Sequence, residues 1–165
     1  MAQTRAARPY DAPEIVRLRR LMFAAMHGRD EPGRWEGDAE EAARRQLSGP
    51  RVELGCFVVD GDEPGEPHLA ACAVGRVEER LPAPGHPRGR FGFIFNVCTD
   101  ERYRGRGYAR ATTEALLAWF AERGVTRVDL HATPDAEKLY RGLGFAEHSV
   151  ALSLDLSRRN PPAGG

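Results

Sequence analysis

With 165 residues the chain is long enough for one domain with a substantial core. Lysine and arginine total 24 and aspartate and glutamate total 24, so bulk charge recruits neither nucleic acid nor another polyanion. No apolar run is long enough to span a bilayer and residues 1–9 lack a signal-peptide apolar stretch, so a soluble cytoplasmic protein is expected.

Residues 4–8 suit a short first strand. Asp11 before Pro13 reads as a helix N-cap, and Ile15, Leu18, Met22, Ala25 and Met26 recur at helical spacing, predicting a helix over 13–27. A loop over 28–37 carries Asp30, Glu31, Trp35 and Glu36, and a short polar helix follows over 38–47. Residues 55–60 and 69–77 read as antiparallel strands joined by the turn formers of 61–67. Three prolines and two glycines make 81–90 a long loop. A central strand is expected over 91–99. Tyr108, Ala111, Ala115, Leu116, Trp119 and Phe120 then form the apolar stripe of a helix stopped by Gly124. Residues 125–130 read as strand, and Thr133-Pro134 opens a short helix carrying Leu139 and Tyr140. Val150, Leu152, Leu154 and Leu156 alternate strictly, which predicts a final half-buried strand. A single domain over 1–156 and a disordered tail over 157–165 are therefore expected.

The chemistry concentrates between the central strand and Phe145. Arg104, Gly105, Arg106, Gly107, Tyr108 and Ala109 form a glycine-rich loop at a helix start, where backbone N–H groups lack intrahelical partners and the peptide dipoles favour an anion. Lys138 is the only lysine, so a phosphate clamp here is built mostly from arginine. A dinucleotide turn would put glycine at position 110, which is Arg110, and its ribose-binding acid would be Asp129, inside an apolar run. A P-loop is excluded because no Gly-Lys-Ser/Thr occurs. Cys56, Cys72 and Cys98 lie in apolar runs without C-x-x-C spacing and read as buried free thiols. No metal site is indicated.

The pattern Arg104-x-x-Gly107-x-Ala109, followed downstream by Tyr140 and Gly144-Phe145, resembles the two signatures of the GCN5-related N-acetyltransferases, the GNAT superfamily. The resemblance implies an α+β fold: a mixed, mostly antiparallel sheet of about six to seven strands, the fourth and fifth splayed, flanked by about four helices. It implies acetyl-CoA as cofactor, its pantetheine arm running beside Val97, Cys98 and Thr99 and its phosphates on the 104–109 loop, with Thr133 and Lys138 as further contacts. Thr133 stands where the family often carries asparagine. The implied reaction is direct attack of a primary amine of a small molecule on the thioester, with Tyr140 as proton donor to the leaving sulfur. A GNAT-like module that binds acyl-CoA without turnover remains an alternative, as does, more remotely, a dinucleotide-binding oxidoreductase. For a base the residues offer Glu78 or Glu79 at a strand end and His131 after the fifth strand. The acids and tryptophan of the 28–37 loop suit an amine-bearing acceptor. The resemblance also implies a possible homodimer, with the last strand at its interface.

Overall fold

The computed structural model describes residues 3–159. Its elements are β1 (Thr4–Ala6), α1 (Ala12–His27), α2 (Trp35–Gln46), β2 (Leu54–Asp60), β3 (Leu69–Glu79), β4 (Arg90–Thr99), α3 (Tyr108–Glu122), β5 (Arg127–Leu130) and α4 (Pro134–Gly142). They form one five-stranded sheet in the order β1-β2-β3-β4-β5. The first four strands are antiparallel and β5 runs parallel to β4.

Two apolar layers hold the sheet. On one face Ile15 and Leu18 of α1 pack against Cys56, Val58, Cys72, Val74 and Cys98. On the other, Leu116, Trp119 and Phe120 of α3 cover Ala73 and Ile94, with Val97, Val128, Leu130 and Phe145 around them. Each fully buried large side chain of this kind contributes about 1.5–3 kcal/mol by leaving water. The α3 face depends on close approach. A Cβ at Gly55 would lie 2.7 Å from Trp119, and one at Gly92 would lie 2.8 Å from Phe120. Glycine on β2 and on β4 thus makes room for the two aromatic rings.

β4 pairs with β3 along its whole length, from Glu79↔Arg90 to Ala71↔Thr99. Its pairing with β5 ends at Ile94↔Leu130. The β3–β4 register shifts between Val74 and Gly75, and Phe95 is the extra residue that this bulge leaves without a partner. From Phe95 to Thr99 the far edge of β4 therefore has no neighbouring strand among the described residues. This is the expected splay of the fourth and fifth strands.

Four expectations need correction. The final strand over 150–156 does not form, so the sheet has five strands and not six or seven. Val150, Leu152, Leu154 and Leu156 are 84, 89, 67 and 69% exposed, because alternation creates a strand only where a neighbour offers both a hydrogen-bonding edge and an apolar surface. The second helix starts at Trp35, three residues before the expected Asp38. Glu36 accepts from Gly33 N–H at 3.1 Å, Trp35 Nε1–H donates to Glu31 O at 2.8 Å, and the indole meets Phe23 edge-on, which together fix the first turn. Asp11 sits at the N-cap position of α1 but makes no cap bond to the helix. Its carboxylate accepts from Arg5 at 2.8 and 2.9 Å and from Arg8 N–H at 2.8 Å. The apolar stripe of α1 also stops early, with Ala25 and Met26 exposed. Of the expected disordered tail, residues 160–165 lie outside the described residues, and 157–159 form an exposed turn.

Candidate active site

The chain leaves β4 at Asp100 and reaches α3 through a short 3-10 turn, Glu101–Tyr103, and the glycine loop. Asp100 is the pivot. It caps the turn by accepting from Arg102 N–H at 3.0 Å, takes the Arg102 guanidinium at 3.0 and 3.1 Å, and receives Arg17 Nη1–H of α1 at 2.8 Å. These contacts, Arg102 first, hold its carboxyl well below the usual carboxylate range. Arg17 also binds Glu14, so the loop base is tied to α1. On the other side the fully buried Tyr103 hydroxyl accepts from Glu63 N–H at 3.0 Å and shares a 2.6 Å hydrogen bond with His68 Nε2. The loop is thereby anchored to the β2–β3 connection as well.

Above this base the glycine loop is open. Gly105 and Gly107 have φ of +77° and +81°, and a Cβ on either would meet no atom within 4 Å. Among the described residues the backbone N–H groups from Gly105 to Arg110 donate to nothing, and the first helical bond is Ala111 N–H to Gly107 O at 3.0 Å. Arg104 is exposed and makes no ion pair among the described residues, whereas Arg106 reaches Asp62 at 3.7 Å and lies over the Tyr103 ring. Tyr108 and Ala109 are half-buried at the helix start. The result is a row of solvent-facing donors with positive charge beside it.

The loop continues the open half of β4. Val97 packs toward α3, and Thr99 Oγ1 is buried without a hydrogen-bond partner. Cys98 turns the other way, into the α1 layer, where burial pushes its thiol up to about 11. These features fit an extended ligand ending in a diphosphate: an unpaired strand edge for the arm, an orphaned hydroxyl beside it, and free N–H groups for the anion.

Along β5 and beside α4, a cavity of about 590 Å³ is lined by Phe93, Val128, Leu130, His131, Tyr140 and Phe145, among others. Tyr140 is 8% exposed and meets Phe145 edge-on at 5.9 Å. Its hydroxyl has no protein partner among the described residues, and burial raises its pKa above the ordinary phenol value. His131 is exposed and packs edge-on against Phe93 at 5.4 Å. The structure thus brings Tyr140 and His131 to one cavity. Glu78 is elsewhere in its bonding, held by Arg80 at 2.7 and 3.1 Å, and Glu79 is exposed beside Arg90. Thr133 takes the extended N-cap conformation of α4, but its hydroxyl caps nothing, and Lys138 is exposed.

The acids expected to attract an amine are already neutralised. Asp30 and Glu36 both pair with Arg20, and Glu31 pairs with Arg29. Trp35 serves the packing of α2 on α1. Sequence reasoning overlooked Arg19 of α1 and the bulged Phe95 with its neighbour Asn96. Arg19 Nη1–H donates to Asn96 Oδ1 at 3.0 Å, and the guanidinium lies 4.6 Å from the Phe23 ring and 5.9 Å from the Phe95 ring. The Arg19-x-x-x-Phe23 spacing on one helix face was the available signal.

Comparison with known proteins agrees with this geometry. Residues 17–145 match the model of the acetyltransferase (GNAT) family. An uncharacterised N-acetyltransferase of Bacillus subtilis, YycN, is 36% identical over 76 residues, covering 44% of this chain and 48% of that protein. Mycothiol acetyltransferase of Salinispora arenicola is 34% identical over 131 residues, covering 77% of this chain and 39% of its own length. The chain thus spans half or less of the curated relatives it matches. Among solved structures, a predicted acetyltransferase from Clostridium acetobutylicum with acetyl-CoA superposes with a TM-score of 0.79 at 20% identity, covering 98% of this chain and all of that one. A GCN5-related N-acetyltransferase from Ralstonia eutropha superposes with a TM-score of 0.72 at 26% identity, over 95% of this chain and 99% of that one. The paired signatures, the parted strands and the family match over residues 17–145 together place this chain in the GNAT acetyltransferase family.

Proposed function

We propose that the protein is an N-acetyltransferase that moves an acetyl group from acetyl-CoA to a primary amine of a small molecule. The observation that carries this reading is the continuity of the open edge of β4, from Phe95 to Thr99, with the free N–H groups of Gly105 to Arg110. The donor supplies a thioester whose carbonyl carbon bonds to the amine nitrogen as the carbon–sulfur bond breaks, so the amine gives up one proton and the departing sulfur gains one.

This chain's own residues divide the remaining work. The edge beside Val97, Cys98 and Thr99 binds the arm through backbone groups, and Gly105, Gly107 and Ala109 let the diphosphate approach the chain. Arg104 and Arg106 add charge, and Thr133 and Lys138 are assigned as further contacts by the family resemblance alone. Tyr140, protonated at neutral pH because burial disfavours its phenolate, gives its proton to the sulfur. His131, in the same cavity, accepts the amine proton directly or through water; Glu78, already bound to Arg80, is the weaker candidate. The reading extends to a cytoplasmic homodimer, supported by three free buried cysteines and by the exposed row Val150, Leu152, Leu154 and Leu156.

The test is thiol release from acetyl-CoA across an amine panel, alongside thermal stabilisation by CoA. Wild type is expected to show both. Tyr140→Phe is expected to keep the stabilisation and lose about a hundred-fold or more in kcat. Stabilisation by CoA with no thiol release from any amine would support ligand sensing without turnover, and stabilisation by a nicotinamide dinucleotide instead would overturn the acyl-transfer reading.

A further inference from the structure

Three arginines on α1 have different company. Arg17 binds Glu14 and Asp100, and Arg20 binds Asp30 and Glu36. Arg19, between them, is half-buried and pairs with no carboxylate among the described residues. It borders a second cavity, of about 270 Å³, walled by Ile15, Val16, Ala42, Leu54, Val74 and Phe95. This cavity lies on the α1 face of the sheet, and its lining includes Phe95 and Asn96, which follow the last β4–β5 pair, Ile94↔Leu130.

The guanidinium is held in a fixed orientation. Nη1–H is spent on the 2%-exposed Asn96, and the Phe23 and Phe95 rings flank the group. Nε–H and Nη2–H have no partner among the described residues. Those two groups point the same way and match the two oxygens of a carboxylate. Burial without a nearby acid disfavours the charged form of Arg19, so an incoming anion would relieve that cost. Apart from Asn96, bound to Arg19, and Gln46, whose Oε1 accepts from Arg76, the other walls are apolar and would take an aliphatic or aromatic body.

We infer that the acceptor is an amine that also carries a carboxylate on an apolar frame, and that Arg19 selects it by a two-point contact beside the open half of β4. This inference rests on the acyl-transfer reading for its account of what happens to the amine. The pairing itself does not depend on it.

Calorimetric titration of the CoA-saturated protein with matched pairs tests the inference: L-phenylalanine against L-phenylalaninamide, L-leucine against L-leucinamide, L-methionine against L-methioninamide. In at least one pair the free acid is expected to bind about ten-fold tighter or more. Arg19→Gln should abolish that preference while CoA binds as before. Arg19→Lys, which keeps the charge and loses the fork, should retain about a two- to five-fold preference, and it carries the test if the glutamine variant does not fold. The inference is overturned if no acid binds, if the amides bind as well as the acids in every pair, or if Arg19→Gln leaves the preference intact. CoA titrated alone separates the two readings: acids that bind through Arg19 to a protein that ignores CoA would sink the donor assignment and leave this one standing.

Discussion

The two halves of β4 use one strand for opposite purposes. From Arg90 to Ile94 it has neighbours on both sides, and α3 presses on Gly92 and Ile94. From Phe95 to Thr99 it keeps only β3, and its free edge runs into a loop whose amide groups face solvent. The first half satisfies its hydrogen bonds within the protein and so serves stability. The second leaves them available, and in the proposed reading it serves binding. The bulge at Phe95 marks the change, because one extra residue turns the strand away from β5.

Substitutions on either side of that bulge should separate the two roles. The largest effect is expected at the loop. Gly107→Val puts a β-branched residue at φ +81° in front of the amide row, and CoA affinity should fall about a hundred-fold by calorimetry, with about 1–2 kcal/mol lost in stability. An affinity unchanged within a few-fold would break the division. Next comes Gly92→Ala in the paired half, whose new methyl would sit 2.8 Å from Phe120. Chemical denaturation should register about 1–3 kcal/mol of destabilisation, and the folded fraction should bind CoA as wild type does. The smallest effect concerns Asp100, where the halves meet the loop. Its folded pKa is depressed, chiefly by Arg102, so its contribution is fully present above the unfolded carboxyl value of about 3.9 and is lost as pH falls below it. Melting curves between about pH 5 and pH 3 should therefore be flatter for Asp100→Asn than for wild type. Equal slopes would mean that the pairing is not retained in solution.

Most of the fold was legible because its signals are local. Helical spacing, turn formers and the Arg104–Ala109 pattern need no knowledge of distant residues, and the structure places those elements within a few residues of expectation. The C-terminal row misled for the opposite reason. Val150, Leu152, Leu154 and Leu156 carry a good strand pattern, but a strand is a relation between two segments, and no described segment supplies the second. The acceptor side was illegible for a related cause. Asp30, Glu31 and Glu36 are conspicuous acids in sequence and spent ones in space, consumed by Arg20 and Arg29. Arg19 is one arginine among many in sequence, and only the cavity around it sets it apart. The bulge at Phe95 left no mark in an apolar run that already reads as strand.

Cys98 has a consequence for the order of events. It lies in the half of β4 that would run beside a thioester, yet its sulfur faces α1 and stays protonated near neutrality, with its pKa pushed up to about 11. A thiol so placed cannot capture the acyl group. In the proposed transfer, self-acylation of this cysteine is therefore closed off, and initial-rate patterns are expected to be those of donor and acceptor bound together, sequential and not ping-pong.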